Sequence, residues 1–143
     1  MGLTLTDIRE ALAATLRIGI DREVNVYPYK PPTPQFPCLC LVAGDGDYVT
    51  YDDTFDELAT VNLIIEVHIS SLALDEQIAV DDFLSAGGAN GSSVVGAIRA
   101  DQTLGGVVQA CLPGPARGPT LNERDADPLV ARIPVEIYCA TEA

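Results

Sequence analysis

The chain has 143 residues, 48% of them hydrophobic, with 21 acidic against 8 basic side chains and a net charge of −13. That length and apolar content fit a single domain, residues 1–143, with a real core, and argue against wholesale disorder. The charge argues against a protein that clamps phosphates or an anionic membrane surface, because either needs a basic footprint and the chain has one lysine, Lys30.

No apolar run approaches the ~18 residues of a membrane span; the longest is cut by Asn62, Glu66 and His68. The opening residues MGLTLTDIRE lack the basic and apolar regions of a signal peptide, so synthesis in the cytoplasm is expected. Reduced, partly buried thiols are then expected at Cys38, Cys40, Cys111 and Cys139.

In chain order, Ile8, Ala11, Leu12, Thr15 and Leu16 recur at helical spacing and predict a helix over 5–16. Thr4 and Asp7 match a capping box, Leu3 and Ile8 are spaced for a hydrophobic staple, and Gly19 is a plausible stop. A short strand is expected over 24–27. Pro28, Pro31, Pro32, Pro34 and Pro37 then forbid both helix and central strand, so 27–37 reads as a stiff surface connection. CLCLVA (38–43) reads as a buried strand, GDGD (44–47) as a turn, and 48–51 as the start of a return strand. The acidic stretch 45–57 is expected to be an exposed hairpin or loop.

The clearest strand is 59–70, where Val61, Leu63, Ile65, Val67 and Ile69 share one face and Asn62, Ile64, Glu66 and His68 the other. A helix follows over 72–85. Ala79, Leu72, Phe83, Val80, Ala73 and Leu84 form its broad apolar arc, and Leu74 with Ile78 forms a second stripe nearly opposite. One apolar stripe serves the core; a second implies a buried position or a neighbouring subunit. A glycine-rich turn, Gly87–Gly91, leads to a short helix over 94–100 capped by Ser92 or Ser93. A strand is expected over 107–112, a long polar loop over 113–128, and a last strand over 129–139 with Arg132, Pro134, Glu136 and Tyr138 on its second face. There is no internal repeat. The expected class is α+β (α/β): one domain with a mixed, mostly antiparallel sheet of about four to five strands, packed by two to three helices.

No catalytic signature, cofactor fingerprint or metal set is legible. His68 and Glu66 share a strand face, a spacing open to metal binding or acid–base work, but they are read as ordinary hydrogen-bonded residues. Cys38 and Cys40 also share a face, most simply the core side, and C-x-C is not the usual zinc spacing. GDGD lacks the third glycine of a dinucleotide fingerprint, there is no Walker loop, and 45–57 does not meet the EF-hand template.

The order of the pieces resembles a known family. TDIREALAATL leads through VNVYPY and a proline-rich crossing to PCLCLV. VNLIIEVHIS, DEQIAVDDFL and VVGAIRADQTLGGVV follow, and the chain closes on ARIPVEIY. This layout resembles the tail terminator, or tail completion, proteins of long, non-contractile-tailed bacteriophages. The resemblance implies a structural virion protein and not an enzyme, without catalytic residues, cofactor or metal. It implies a homo-oligomeric ring, a hexamer, that caps the tail tube, stops its polymerisation and offers the surface joined by the head. Its place would be the head-proximal end of the tail. Its partners would be the major tail tube protein and a head–tail connector or stopper, with DNA passing the lumen unbound and no membrane involved. Another head–tail connector or a minor tail protein is the alternative, and a small Cys/His enzyme a more distant one. Under this reading Leu74 and Ile78 are candidate subunit contacts. Asp45, Asp47, Tyr48, Tyr51 and Asp53 in one loop, and Arg117, Asn122 and Arg124 in the other, are candidates for partner-facing positions.

Overall fold

A computed structural model describes residues 4–20, 24–32, 35, 37–44, 46–51, 58–69, 74–85, 93–120 and 129–139. Three helices and seven strand segments lie within them: α1 (Leu5–Gly19), β1 (Asn25–Tyr27), β2 (Cys38–Ala43), β3 (Val49–Tyr51), β4 (Leu58–Ile69), α2 (Leu74–Leu84), α3 (Val94–Ala100), β5 (Ala110–Pro113), β6 (Arg117–Thr120) and β7 (Leu129–Tyr138). The expected Leu3 staple, the glycine turn 87–91 and the tips of both long loops fall outside the described residues.

The capping box forms: the Thr4 hydroxyl accepts the Asp7 amide at 3.1 Å and the Asp7 carboxylate accepts the Thr4 amide at 3.2 Å. The helix then runs to Gly19 rather than ending at 16, and Ile20, extended and buried, carries the chain off it. Ile8, Leu12, Ala13 and Leu16 seat α1 in the core. Arg9 lies on the same flank and is 7% exposed. It donates to the carbonyls of Pro28 (2.9 Å) and Leu41 (2.7 Å) and to the Tyr48 hydroxyl, and its guanidinium sits over the Tyr29 ring. Burying that charge is tolerable because its donors are matched by named acceptors.

The sheet is mixed and mostly antiparallel, in the order β1-β2-β4-β7-β5, with β3 added on β4 and β6 on β7. Only β1 and β2 pair in parallel. The seven segments fall into five columns. β2 pairs with Leu63–His68 of β4, and β3 pairs with Leu58–Val61 of the same strand in the same sense. β7 occupies the other side of β4 along its length, so β2 and β3 are two halves of one interrupted strand. β5 and β6 stand in the same relation along β7. The expected count of four to five strands thus describes the columns.

Two local expectations are corrected. Residues 48–51 do not return along β2. Gly44 donates to the Asn62 carbonyl and Asn62 donates to the Tyr48 carbonyl, each at 2.8 Å, so the chain leaves the ladder after Gly44 and resumes it at Tyr48 in the same direction. A β-carbon on Gly44 would lie 2.7 Å from the Asn62 carbonyl oxygen, which is why the excursion leaves the ladder at a glycine. The antiparallel partner of β3 is β4. The strand expected over 107–112 starts at Ala110, because Asp101–Val107 is a turn that needs positive φ at Leu104, Gly105 and Gly106.

All three helices cover one face. Leu39, Leu41, Val61, Leu63, Ile65, Val67, Ile133, Val135 and Ile137 meet Leu12, Leu16, Phe83, Ala97 and Ile98 there in one buried cluster. The alternation of β4 and β7 produces this core directly. The second face carries the even-numbered residues of β4, and none of the three described helices covers it.

Candidate functional site

The second face has two zones. The first is closed. Cys38 stands across from His68, and Cys40 across from Glu66. These two cysteines share a face as expected, but it is the face away from the helices, not the core side. They are buried nonetheless, at 0%, with His68 at 1% and Glu66 at 4%. The proline-rich connection between the parallel strands β1 and β2 runs over this face, as Lys30 within it shows by approaching Glu66 at 3.8 Å.

Glu66 is the centre of this zone. Its carboxylate accepts from His68 Nε2 at 3.0 Å and from Arg132 at 3.0 Å. A carboxylate can only accept, so the shared contact places the imidazole hydrogen on Nε2. The His68 hydrogen bond does most to hold the Glu66 carboxyl below its usual range; Lys30 and Arg132 add to this and burial opposes it. The Cys38 and Cys40 sulfurs lie 3.8 Å apart. That contact does most to hold the Cys40 thiol below its ordinary value, against burial. Burial alone pushes Cys111, on the core side, up to about 12. Thiol, imidazole and carboxylate together are the donor set of a nucleophilic centre. Here they are sealed, and they tie β2, β4, β7 and the crossover to one another. The sequence signal was partial: alternation put His68 with Glu66 and Cys38 with Cys40, but only strand register joins the two pairs.

The second zone is open. A groove of about 530 Å³ lies over the middle of this face, lined by Gly44, Asn62, Ile64, Leu112, Pro134 and Glu136, with Arg132 and Arg117 along one flank. Arg117 and Arg132 are direct cross-strand partners. Like charges placed opposite one another disfavour a sheet. Glu66 offsets only Arg132, and Arg117 has no partner among the described residues. Leu112 is 43% exposed and Tyr138, further along the face, 36%. Glu136 is engaged by the Tyr138 hydroxyl.

The sequence-named residues distribute as follows. Ile78 is 49% exposed on α2, so the second stripe does reach the surface there; Leu74 begins the helix, and its side chain is outside the described set. Asp47 is exposed, and its carbonyl accepts the Asn62 side-chain amide at 2.7 Å. Tyr48 is half-buried, its hydroxyl held by Arg9. Tyr51 is 53% exposed at the end of β3. Arg117 is on the groove. Asp45, Asp53, Asn122 and Arg124 lie outside the described residues. The inner ends of the two candidate loops, at Gly44 and at Gly114–Arg117, meet at the same groove. The groove's other members, Arg132, Pro134, Glu136 and Leu112, were not singled out, although the alternation of the last strand already put three of them on one face.

Among the described residues no group of three or more histidine, cysteine or acidic side chains is arranged to hold a metal ion, and no helix is long and apolar enough to cross a membrane. Compared with models of known protein families and with curated proteins, the chain matches none.

Proposed function

We propose that this chain is a structural virion subunit, a tail terminator. Copies form a ring, a hexamer by analogy, at the head-proximal end of a long non-contractile tail. The ring halts tube growth by matching the last tube layer without presenting another growing end, and it offers the joining surface to a head–tail connector. DNA passes through its lumen. The work is binding throughout, with no bond made or broken.

One observation carries the reading: a sheet shielded by helices on one face leaves a groove with exposed apolar rims on the other, while α2 exposes Ile78 on the opposite side of the molecule. A 143-residue domain with contact surfaces on two opposed sides suits a subunit placed between neighbours. The acidic balance suits a lumen that must not retain DNA.

The test is purification, mass measurement and negative-stain imaging with and without tail tubes. The expected result is a ring of uniform size, free or on one end of each tube. A chain that stays monomeric and leaves tube ends undecorated overturns the proposal. A ring that binds the connector yet leaves tube length unregulated identifies the alternative, another head–tail connector.

A further inference from the structure

We infer that the open groove is one half of the contact between copies, and that its occupant is the α2 face of a second copy of this chain around Ile78 and Asp81. This rests on the ring reading and specifies the surface through which the ring closes.

The two patches match in chemistry. The groove is apolar at Leu112, Pro134 and Ile64; Arg117 and Arg132 flank it, Arg132 also pairing with Glu66, and the Glu136 carboxylate that lines it as well is engaged by the Tyr138 hydroxyl. On α2, Ile78 is 49% exposed, and Asp81, one turn on and therefore its surface neighbour, is also exposed. An apolar centre with a cationic flank thus faces an apolar centre with an anionic flank. In a chain of net charge −13 with 8 basic side chains, a cross-strand pair of arginines on an open apolar groove is one of the few surfaces another copy can approach without repulsion.

Charge favours the groove-to-α2 pairing, because it sets Arg117 of one copy against Asp81 of the next. The two patches lie on opposite sides of the sheet, so each copy uses both at once. Such a heterologous contact propagates from copy to copy and closes into a ring when the rotation permits.

The experiment uses full chains carrying Ile78→Cys, Leu112→Cys or both, treated with a short bismaleimide. The native cysteines are buried, at 0–3% exposure, so background coupling is low. The double variant should give a ladder of covalent oligomers ending at the size of the ring, and neither single variant should couple. A single variant that couples to a dimer overturns the inference, because it shows an isologous contact.

The second arm is charge reversal. Arg117→Glu should weaken self-association about tenfold or more, and adding Asp81→Arg in the same chain should recover it, because each copy then meets the reversed partner. Both positions are exposed, and thermal melts of the variants serve as the control that they fold. If rings form but the ladder is absent and the double reversal recovers nothing, this interface falls and the ring stands. If no ring forms under any condition, with tubes supplied, both fall.

Discussion

Glu66 shows how a buried carboxylate is kept charged. Its folded-state proton affinity is lowered from the ordinary 4.5 by His68 first and then by Lys30 and Arg132. Its contribution to stability is therefore complete above the ordinary value and is lost as pH falls through the lowered one. Glu66→Gln should cost about 1.5–3 kcal/mol at pH 7, the usual scale of hydrogen bonds to charged groups. It should also remove part of the acid sensitivity below the ordinary carboxylate range. Urea unfolding from pH 7 to pH 3 tests this, and parallel curves for the two proteins would refute it. The thiols give a second check at this scale. Folded protein should be silent to Ellman's reagent, and all four cysteines should react in urea. Under mild denaturant that opens the crossover, Cys40 should react first, since the thiolate is the nucleophile and its thiol is held low. Cys111, pushed up to about 12, should react last.

Elements whose period matches their burial were legible in the sequence. The strand expected over 59–70 is β4 at Leu58–Ile69, and the helix expected over 94–100 is α3. What pattern could not supply was pairing. The polar stretch 113–128 hid β6, whose Gly118 and Pro119 read as breakers but suit an outer segment with one partner. The resumed direction of β3 depends on Asn62, which accepts from Gly44 and donates to Tyr48 at once, and no local signal encodes that double role. Likewise Arg9 follows α1's apolar flank, but its acceptors lie 19 and 32 residues away. Close packing between elements was equally invisible. A β-carbon on Gly19 would lie 2.5 Å from that of Ala97, so α1 meets α3 at glycine contact distance. Gly19→Ala should therefore lose about 1–2 kcal/mol net, the strain of overpacking exceeding any helix propensity gained. A urea midpoint equal to that of the unchanged chain would mean that the two helices have room to separate.

For the whole molecule, charge sets what the surface tolerates. At −13 the chain repels both duplex DNA and its own copies at separations within the Debye length, about 8 Å at physiological salt. It should retain no duplex DNA in a gel-shift assay even at low ionic strength, and a salt-sensitive shift at micromolar protein would contradict the proposed lumen that only conducts DNA. Self-association needs local complementarity to overcome the same repulsion, and this is why the position of a few arginines matters more than the total.

The paired interruptions of the outer columns have one more consequence. β4 and β7 run unbroken, and moving either by one residue would turn every side chain to the wrong face. An added residue at Gly46 would turn none: the excursion stands outside the ladder, and a β-carbon built there has no neighbour within 4 Å. The gap at 114–116 between β5 and β6 interrupts the opposite column in the same way. The chain can thus lengthen at two places beside its groove while the sheet keeps its indexing. The rim of the groove is free to diverge in length, and a reporter peptide spliced at Gly46 should ride on it without disturbing the scaffold beneath.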